Sequence, residues 1–513
     1  MDHKYLLGID LGTQSLKIGI YNEKGNLLLK ESVSYPTFHS NRSLSEQNPD
    51  DWWNALKKAL KRANNNINLS LIDGISVCAT SSTVLMTDQN YQPIIPAQCW
   101  MDQRAVAEEE EINNNTNSIV KNRLLYSGQK TSIEWMTTKS LWLKHNYDLT
   151  NKFILEQLDW INYKLTGEVV ASQCNATCKW NYVKQQNGFS EEFFNEIGLE
   201  GITKHWPNRI LKVGEQVGTI TETVAEELGL KAGTPVFQGG IDAHIGMIGS
   251  GSLEPGHLSM IMGTSFVHLM HHEQPIFNDA LWGPYDSPLI ENYWLLEGGQ
   301  LSCGSLISWF LNEFYTDCTN LDEIYLELDE KIKEINAGSE GLIILDSWKG
   351  NRTPYKNPYA SGAFIGLTLS HTKFHIYRAI LESIAFGTKN VIQTFKNSSI
   401  PVNKIIAGGG GTKNASWMQI ISDVTGLPIF IPKDQETGTK GTAIIAAYGI
   451  GLYSSIKEAS EQMVEMERVF EPNWVNKEKY ENAFEIYREL NTLLFPIMKK
   501  LNKGREEPHE LCT

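Results

Sequence analysis

The stretch Leu6-Leu7-Gly8-Ile9-Asp10-Leu11-Gly12-Thr13-Gln14-Ser15-Leu16-Lys17-Ile18-Gly19-Ile20 constrains this chain more than any other. An apolar strand runs into an acid, a glycine and a hydroxyl, then turns back into a second strand. Such a turn is suited to a nucleotide phosphate. Gly12 lets the backbone approach an anion, Thr13 offers a hydroxyl and an N–H, and Lys17 adds positive charge. Asp10, at the strand end, is placed to hold Mg²⁺ through water, since hard cations prefer carboxylate oxygen. The plainer reading is an ordinary β-hairpin with an Asp-Leu-Gly turn. A second copy weighs against it: Leu258 to Met270 repeats strand, Gly263-Thr264 turn and strand. Two such hairpins about half a chain apart imply two similarly built domains facing each other across a nucleotide cleft.

With 45 Lys+Arg against 60 Asp+Glu, the net charge of −15 argues against non-specific nucleic-acid or anionic-membrane binding. An anionic nucleotide must then be held by local backbone donors and Mg²⁺. At 513 residues the chain is long enough for two halves with full cores. The boundary is expected at Gly249-Ser250-Gly251, with Glu254-Pro255-Gly256 as a hinge, giving domains 1-251 and 252-513. No signal-peptide pattern precedes the first strand, and no apolar run reaches the roughly 18 residues needed to span a bilayer. A cytoplasmic enzyme is the expectation.

The seven cysteines form neither a disulfide framework nor a complete tetrahedral metal set. Cys174 and Cys178, four apart, fall on one helix face but lack a matching pair, and read as buried reduced thiols. Glu108 to Glu111 read as a solvated helix face. In the N-terminal half a strand is expected over Leu28 to Tyr35, then a helix starting at Asn48-Pro49 and running to Arg62, then a strand over Leu71 to Val77.

Asp242 follows an apolar strand, Thr234 to Phe237, and the small pair Gly239-Gly240, and precedes a helix start at Ala243 to Met247. Its residue type fits either a helix cap or a general base for an alcohol that loses its proton as an O–P bond forms. Ala407 to Gln419 reads as strand, glycine turn and helix, which offers N–H donors and a flat surface to a nucleotide; a flexible loop would read the same.

In their order along the chain these segments resemble the FGGY carbohydrate kinases of the sugar-kinase, Hsp70 and actin superfamily. Trp100-Met101-Asp102-Gln103-Arg104 looks like that family's W-x-D-x-R stretch, Gly239-Gly240-Ile241-Asp242 resembles its G-x-x-D catalytic segment, and Gly408 to Gly411 with Lys413, Asn414, Trp417 and Gln419 resembles its adenosine-binding motif. The resemblance implies an α/β fold of two ribonuclease-H-like domains flanking an ATP cleft, whose closure excludes water. The first domain would carry the sugar and the catalytic base, and the second the nucleotide. It makes Asp242 the base, with His244 a packed or hydrogen-bonded neighbour. It assigns the nucleotide to Gly12, Thr13, Lys17, Gly263, Thr264, Gly304, Gly409, Gly410 and Asn414, and Mg²⁺ to Asp10. The Thr13 and Thr264 hairpins would stabilise charge on the transferring group. Trp417 reads as a core anchor.

Val77 to Val84 stands where glycerol kinases carry Arg-Glu and xylulokinases Met-His; both pairs are absent. Thr80-Ser81-Ser82-Thr83 looks closer to the ribulokinases' Thr-Ser-Cys-Thr. Lys179 and Glu297 stand where that branch binds its sugar, and a donor and an acceptor suit a polyhydroxy ketose. The plainer readings are a surface lysine beside an aromatic and an exposed strand-end acid. The expected substrate contacts are therefore Thr80, Ser82, Lys179, Asp242 and Glu297. The expected activity is ATP- and Mg²⁺-dependent phosphorylation of a terminal hydroxyl of D- or L-ribulose. The alternatives are a kinase for D-xylulose or another polyol or ketose, and a non-catalytic ATP clamp, chaperone-like or filament-forming. Partners are the sugar and ATP, with neither nucleic acid nor membrane; homodimers are common in the family, though no sequence patch marks an interface. The polar tail, Asn502 to Thr513 with Cys512, is expected to fray.

Overall fold

The computed structural model describes residues 3–39, 43–315 and 320–503. Strand β1 (Tyr5–Leu11) buries Leu6, Leu7, Ile9 and Leu11, the near-continuous apolar run of a strand covered on both faces. It pairs antiparallel with β2 (Ser15–Asn22), which pairs antiparallel with β3 (Leu27–Ser34). Helix α1 (Pro49–Ala63) starts where the sequence marks it: Asn48 accepts from the Asp50 N–H, proline opens the first turn, and Asp50 and Asp51 meet the positive end of the helix dipole. Its Trp52 packs edge-on against Trp160, ring centres 6.0 Å apart, in the core under the sheet.

Strand β4 (Ile72–Ala79) lies parallel to β1. Helices α2 (Gln157–Thr166) and α3 (Gln173–Lys179) follow, then β5 (Gln216–Thr219), β6 (Pro235–Phe237) and α4 (Asp242–Ser250). The sheet order is β5-β6-β4-β1-β2-β3.

Downstream, β7 (His257–Met262), β8 (Phe266–His272), β9 (Trp294–Gln300), β10 (Lys404–Gly408), β11 (Ile429–Pro432) and β12 (Met466–Phe470) take the order β12-β11-β10-β7-β8-β9. The two halves repeat one plan. In each, a central strand pairs antiparallel with the next strand in the chain and parallel with a later one (β1 with β2 and β4; β7 with β8 and β10), and the sheet ends in an antiparallel edge strand on that parallel side. This duplication is the α/β arrangement expected from the paired hairpins.

Contacts divide the chain into two compact units: 1–255 with 271–296 and 436–465, and 256–270 with 297–435 and 466–513. The first crossing, after Pro255, lies close to the expected division between 1-251 and 252-513; two later segments return to the first unit. One of them carries helix α7 (Thr437–Gly449), which packs on β1 and on α4, preceded in the chain by α5 (Gly304–Phe314) and α6 (Ala415–Thr425). The α7–α4 crossing needs small residues: a methyl on Gly249 would lie 2.0 Å from the Thr437 carbonyl oxygen, and one on Gly441 2.2 Å from that of Ile245.

Element edges differ from expectation by a residue or two, as hydrogen bonding rather than side-chain pattern sets them. Glu108 departs further. It is buried, with its carboxylate 3.0 Å from His145 Nδ1, because that face of its helix packs inward. Residues 504–513, including Cys512, lie outside the described residues, whereas Asn502 donates to the Tyr359 carbonyl at 2.8 Å.

Candidate active site

Asp10 ends β1 beside the first hairpin. Burial raises its carboxyl pKa above the usual aspartate value, against the pull of Lys17 and a hydrogen bond from Cys78, whose Sγ lies 3.5 Å away. Room for this carboxylate comes from the first turn of α7: a methyl on Gly438 would sit 2.5 Å from Asp10 Oδ2. Lys17, on β2, reaches Glu436 at 2.8 Å. Burial works against its ammonium, yet the Glu436 hydrogen bond and charge carry its pKa above the usual lysine value.

In the hairpin, the Gly12 N–H donates to the Ser15 carbonyl at 3.0 Å and the Gly12 carbonyl accepts from the Tyr35 hydroxyl. The Thr13 hydroxyl accepts from Trp100 Nε1 at 2.9 Å, and its carbonyl from Gln47 Nε2 at 2.7 Å. The W-x-D-x-R stretch thus reaches the hairpin through its tryptophan. Its acid and arginine hold each other: Arg104 Nε donates to Asp102 at 2.7 Å and Nη2 to Glu46 at 2.7 Å.

Asp242 is the first residue of α4; Ile241 occupies the cap position, with no side-chain capping bond. Its Oδ1 accepts from the Ala243 N–H at 2.6 Å. Part of the residue stays open to solvent, but the carboxyl is enclosed, and burial, followed by the charge of Asp10, pushes its pKa up to about 7. His244 points away from that role: it is buried, with Nδ1 3.4 Å from Cys174 Sγ.

The hydroxyl-rich segment after β4 is held from behind. Thr80 shares its hydroxyl with Thr83 at 2.8 Å and donates to Gln157 at 2.9 Å. Ser82 has φ +55°, and its N–H donates to Glu156 at 2.9 Å. Glu156 also accepts from Trp180 Nε1 and Asn175 Nδ2, both at 2.6 Å, so one buried carboxylate ties this segment to α3. Lys139, fully enclosed, donates to the Ser82 carbonyl at 2.7 Å, and burial pushes its pKa down to about 8. At the end of α3, Lys179 Nζ lies 5.3 Å from the Trp135 ring centre and 5.7 Å from that of Tyr285, two aromatic faces that orient a cation.

In the second unit, Gly263 N–H donates to the Ser265 carbonyl at 3.1 Å. This hairpin is one residue shorter than the first: Met262 pairs with Phe266, whereas Leu11 pairs with Leu16. Gly304, first residue of α5, donates its N–H to the Gly263 carbonyl at 3.2 Å, and the Ser305 N–H reaches Thr264 at 3.2 Å. A methyl on Gly304 would come within 2.6 Å of that Gly263 oxygen, so only glycine lets the helix start against the hairpin. Gly409 turns at φ +99° beside Met262, and Gly410 has open space where a side chain would stand. Asn414 caps α6 by accepting from the Trp417 N–H at 2.8 Å, and its amide reaches the Tyr377 hydroxyl at 3.2 Å. Trp417 is buried against Phe266, rings 5.4 Å apart, consistent with a core anchor. Glu297, on β9, is buried, with Arg352 Nη1 3.9 Å from its carboxylate.

The structure therefore gathers Asp10, Gly12, Thr13, Lys17, Thr80, Ser82, Lys179 and Asp242 in the first unit, and Gly263, Thr264, Gly304, Glu297, Gly409, Gly410 and Asn414 in the second. Sequence reasoning missed Glu156, Lys139, Glu436 and Gly438. Each acts through a partner remote in the chain and carries no local motif.

This arrangement, a glycine-threonine hairpin in each of two duplicated α/β units with an acid, Asp10, at the first, suits a nucleotide-dependent phosphotransferase. The models of the N-terminal and C-terminal domains of the FGGY family of carbohydrate kinases match residues 5–249 and 258–450, and the chain belongs to that family. It is 30% identical to a xylulose kinase of Staphylococcus xylosus over 94% of this chain and 99% of that one. It is 29% identical to a ribulokinase of Geobacillus thermodenitrificans over 99% and 98%. A gluconate kinase from Lactobacillus acidophilus shares the fold, with a TM-score of 0.86 at 22% identity over 98% of this chain and all of that one. The protein is thus a carbohydrate kinase. Among the described residues no helix is long and apolar enough to cross a membrane.

Proposed function

We propose that the protein transfers the γ-phosphoryl group of ATP to the terminal hydroxyl of a ketopentose, D- or L-ribulose, with Asp242 as the base. The observation that carries this reading is the Asp242 carboxyl, whose pKa near 7 matches a base working at neutral pH. The cap position is held by Ile241, and Asp242, one residue inside α4, accepts from the adjacent Ala243 N–H rather than from the N–H two or three residues on that a cap meets. As the O–P bond forms, the sugar hydroxyl proton passes to the Asp242 carboxylate, and the bond from the γ-phosphorus to the β-phosphate oxygen breaks, releasing ADP.

Mg²⁺ fits the Asp10 carboxylate: the ligand is a hard oxygen, and Gly438 leaves space on its Oδ2 side. When bound, the ion neutralises charge on the phosphates. Asp10 would orient it, while the hairpins at Gly12-Thr13 and Gly263-Thr264 would present backbone N–H groups to the nucleotide. Gly304, Gly409, Gly410 and Asn414 would shape the nucleotide side. Lys17, paired with Glu436, would sit near the phosphates as a fixed rather than a mobile charge.

For the sugar, Lys179 would donate and Glu297 accept, while Thr80 and Ser82 form the wall. The preference for ribulose rests on the Thr80 to Thr83 segment. A D-xylulose reading draws on the comparable identity to the xylulose kinase of Staphylococcus xylosus. ADP release from MgATP should depend on an added ketose; equal release with and without sugar would refute a kinase acting on ketoses.

A further inference from the structure

Two buried cysteines and a buried histidine converge behind Asp242. Cys174 and Cys178 lie one turn apart on α3, and His244 lies on α4, two residues beyond the proposed base. All three side chains are at most 2% exposed. His244 Nδ1 is 3.4 Å from Cys174 Sγ and 3.7 Å from Cys178 Sγ, and the three atoms all lie within 4.8 Å of one another.

These distances can be set against what an ion imposes. A tetrahedral zinc, about 2.3 Å from sulfur and about 2.0 Å from nitrogen, holds sulfur and nitrogen about 3.5 Å apart. Both observed S···N distances fall close to that value with no side chain moved. In the absence of an ion the same two contacts serve as S–H···N hydrogen bonds, and one imidazole nitrogen faces both sulfurs at 3.4 and 3.7 Å. The donors are also of the right softness, since thiolate and imidazole select zinc or monovalent copper over magnesium. Two thiolates balance a divalent cation to zero net charge; a monovalent ion would leave a buried anion, which is costly. The charge count therefore favours zinc.

We propose that Cys174, Cys178 and His244 form a zinc-binding site, with the fourth position taken by water or a small exogenous ligand. The site joins α3, which ends in Lys179, to α4, which begins with Asp242, so an ion there staples the sugar-binding lysine's helix to the base's helix. It is separate from the Mg²⁺ expected at Asp10, whose oxygen ligand suits a hard ion. The site stands on its own geometry, whether or not the sugar assignment holds.

Cobalt substitution tests it directly. The reduced, metal-free full-length protein titrated with Co²⁺ should develop a thiolate-to-cobalt charge-transfer band saturating at one ion per chain, and zinc should displace it. Cys174→Ser and Cys178→Ser, made singly, should each weaken zinc binding at least about tenfold, measured by competition with a chromophoric chelator. Absence of the band in the folded, reduced, unaltered protein would overturn the proposal, as would zinc affinity unmoved by either substitution. The spectrum of the unaltered chain decides the matter even where a serine variant fails to fold.

Discussion

Asp242→Asn separates the cost of the buried carboxylate from its use. The substitution keeps shape and removes both the proton acceptor and the negative charge. Turnover should fall about 10²-fold or more, because a positioned general base contributes at least that much. In the unaltered enzyme kcat/KM should fall with decreasing pH through about 7, as Asp242 takes up its proton. The same shift has a consequence for stability. The folded-state pKa stands above the unfolded value of 3.8, so folding favours the protonated form. That contribution is fully present below pH 3.8 and is lost as pH rises to about 7. A rise from 3.8 to about 7, at about 1.4 kcal/mol per unit, sets a ceiling of about 4 kcal/mol. Partial solvent contact and coupling to Asp10 reduce this to about 1–2 kcal/mol. Asp242→Asn should therefore be more stable than the unaltered chain at pH 8 by about that amount, and nearly equal to it at pH 4. Urea unfolding at the two pH values, beside steady-state kinetics, measures both. Equal stability at pH 8, with more than about a tenth of turnover retained, would refute the account of this carboxylate.

Three further outcomes are expected. Lys179→Ala and Glu297→Ala should each raise the KM for the ketose by an amount equivalent to about 1–3 kcal/mol while moving the KM for ATP much less; equal effects on both substrates would sink the sugar-pocket assignment. Gly438→Ala places a methyl 2.5 Å from Asp10 Oδ2, so it should lower kcat and weaken the Mg²⁺ dependence, and an unchanged Mg²⁺ titration would remove Asp10 from the metal's surroundings. Trp100→Phe removes the 2.9 Å donor that fixes the Thr13 hydroxyl and should raise the KM for ATP with little effect on that for the sugar, read from the two substrate titrations.

The hairpins, the helix starting at Asn48 and the strand-glycine-helix unit near Gly408 were legible because each is set by residues adjacent in the chain. Asn48 and Pro49 specify a helix start whatever lies beyond. The duplicated fold was legible for the same reason, from two copies of one local pattern. The return of α7 to β1 and α4 was not: Gly8 permits the first packing and Gly249 and Gly441 the second, but nothing in the local sequence says which backbone approaches them. Thr80 shows a subtler gap. Its residue type suggested a hydroxyl free for substrate, and the structure commits that hydroxyl to Thr83 and Gln157, which leaves shape as what it would offer the proposed sugar wall. The nearness of Cys174 and Cys178 to His244 joins residues some seventy apart, which no spacing rule anticipates.

The sugar assignment is the central claim, and parallel kinetics on D-ribulose, L-ribulose, D-xylulose and glycerol test it most directly. A pocket built to pair given hydroxyls penalises an epimer that leaves its polar groups unsatisfied, at about 1.4 kcal/mol for each tenfold. One ribulose enantiomer should show kcat/KM at least about tenfold above D-xylulose, with glycerol lower still. D-xylulose or glycerol as the best substrate would contradict the ribulose assignment.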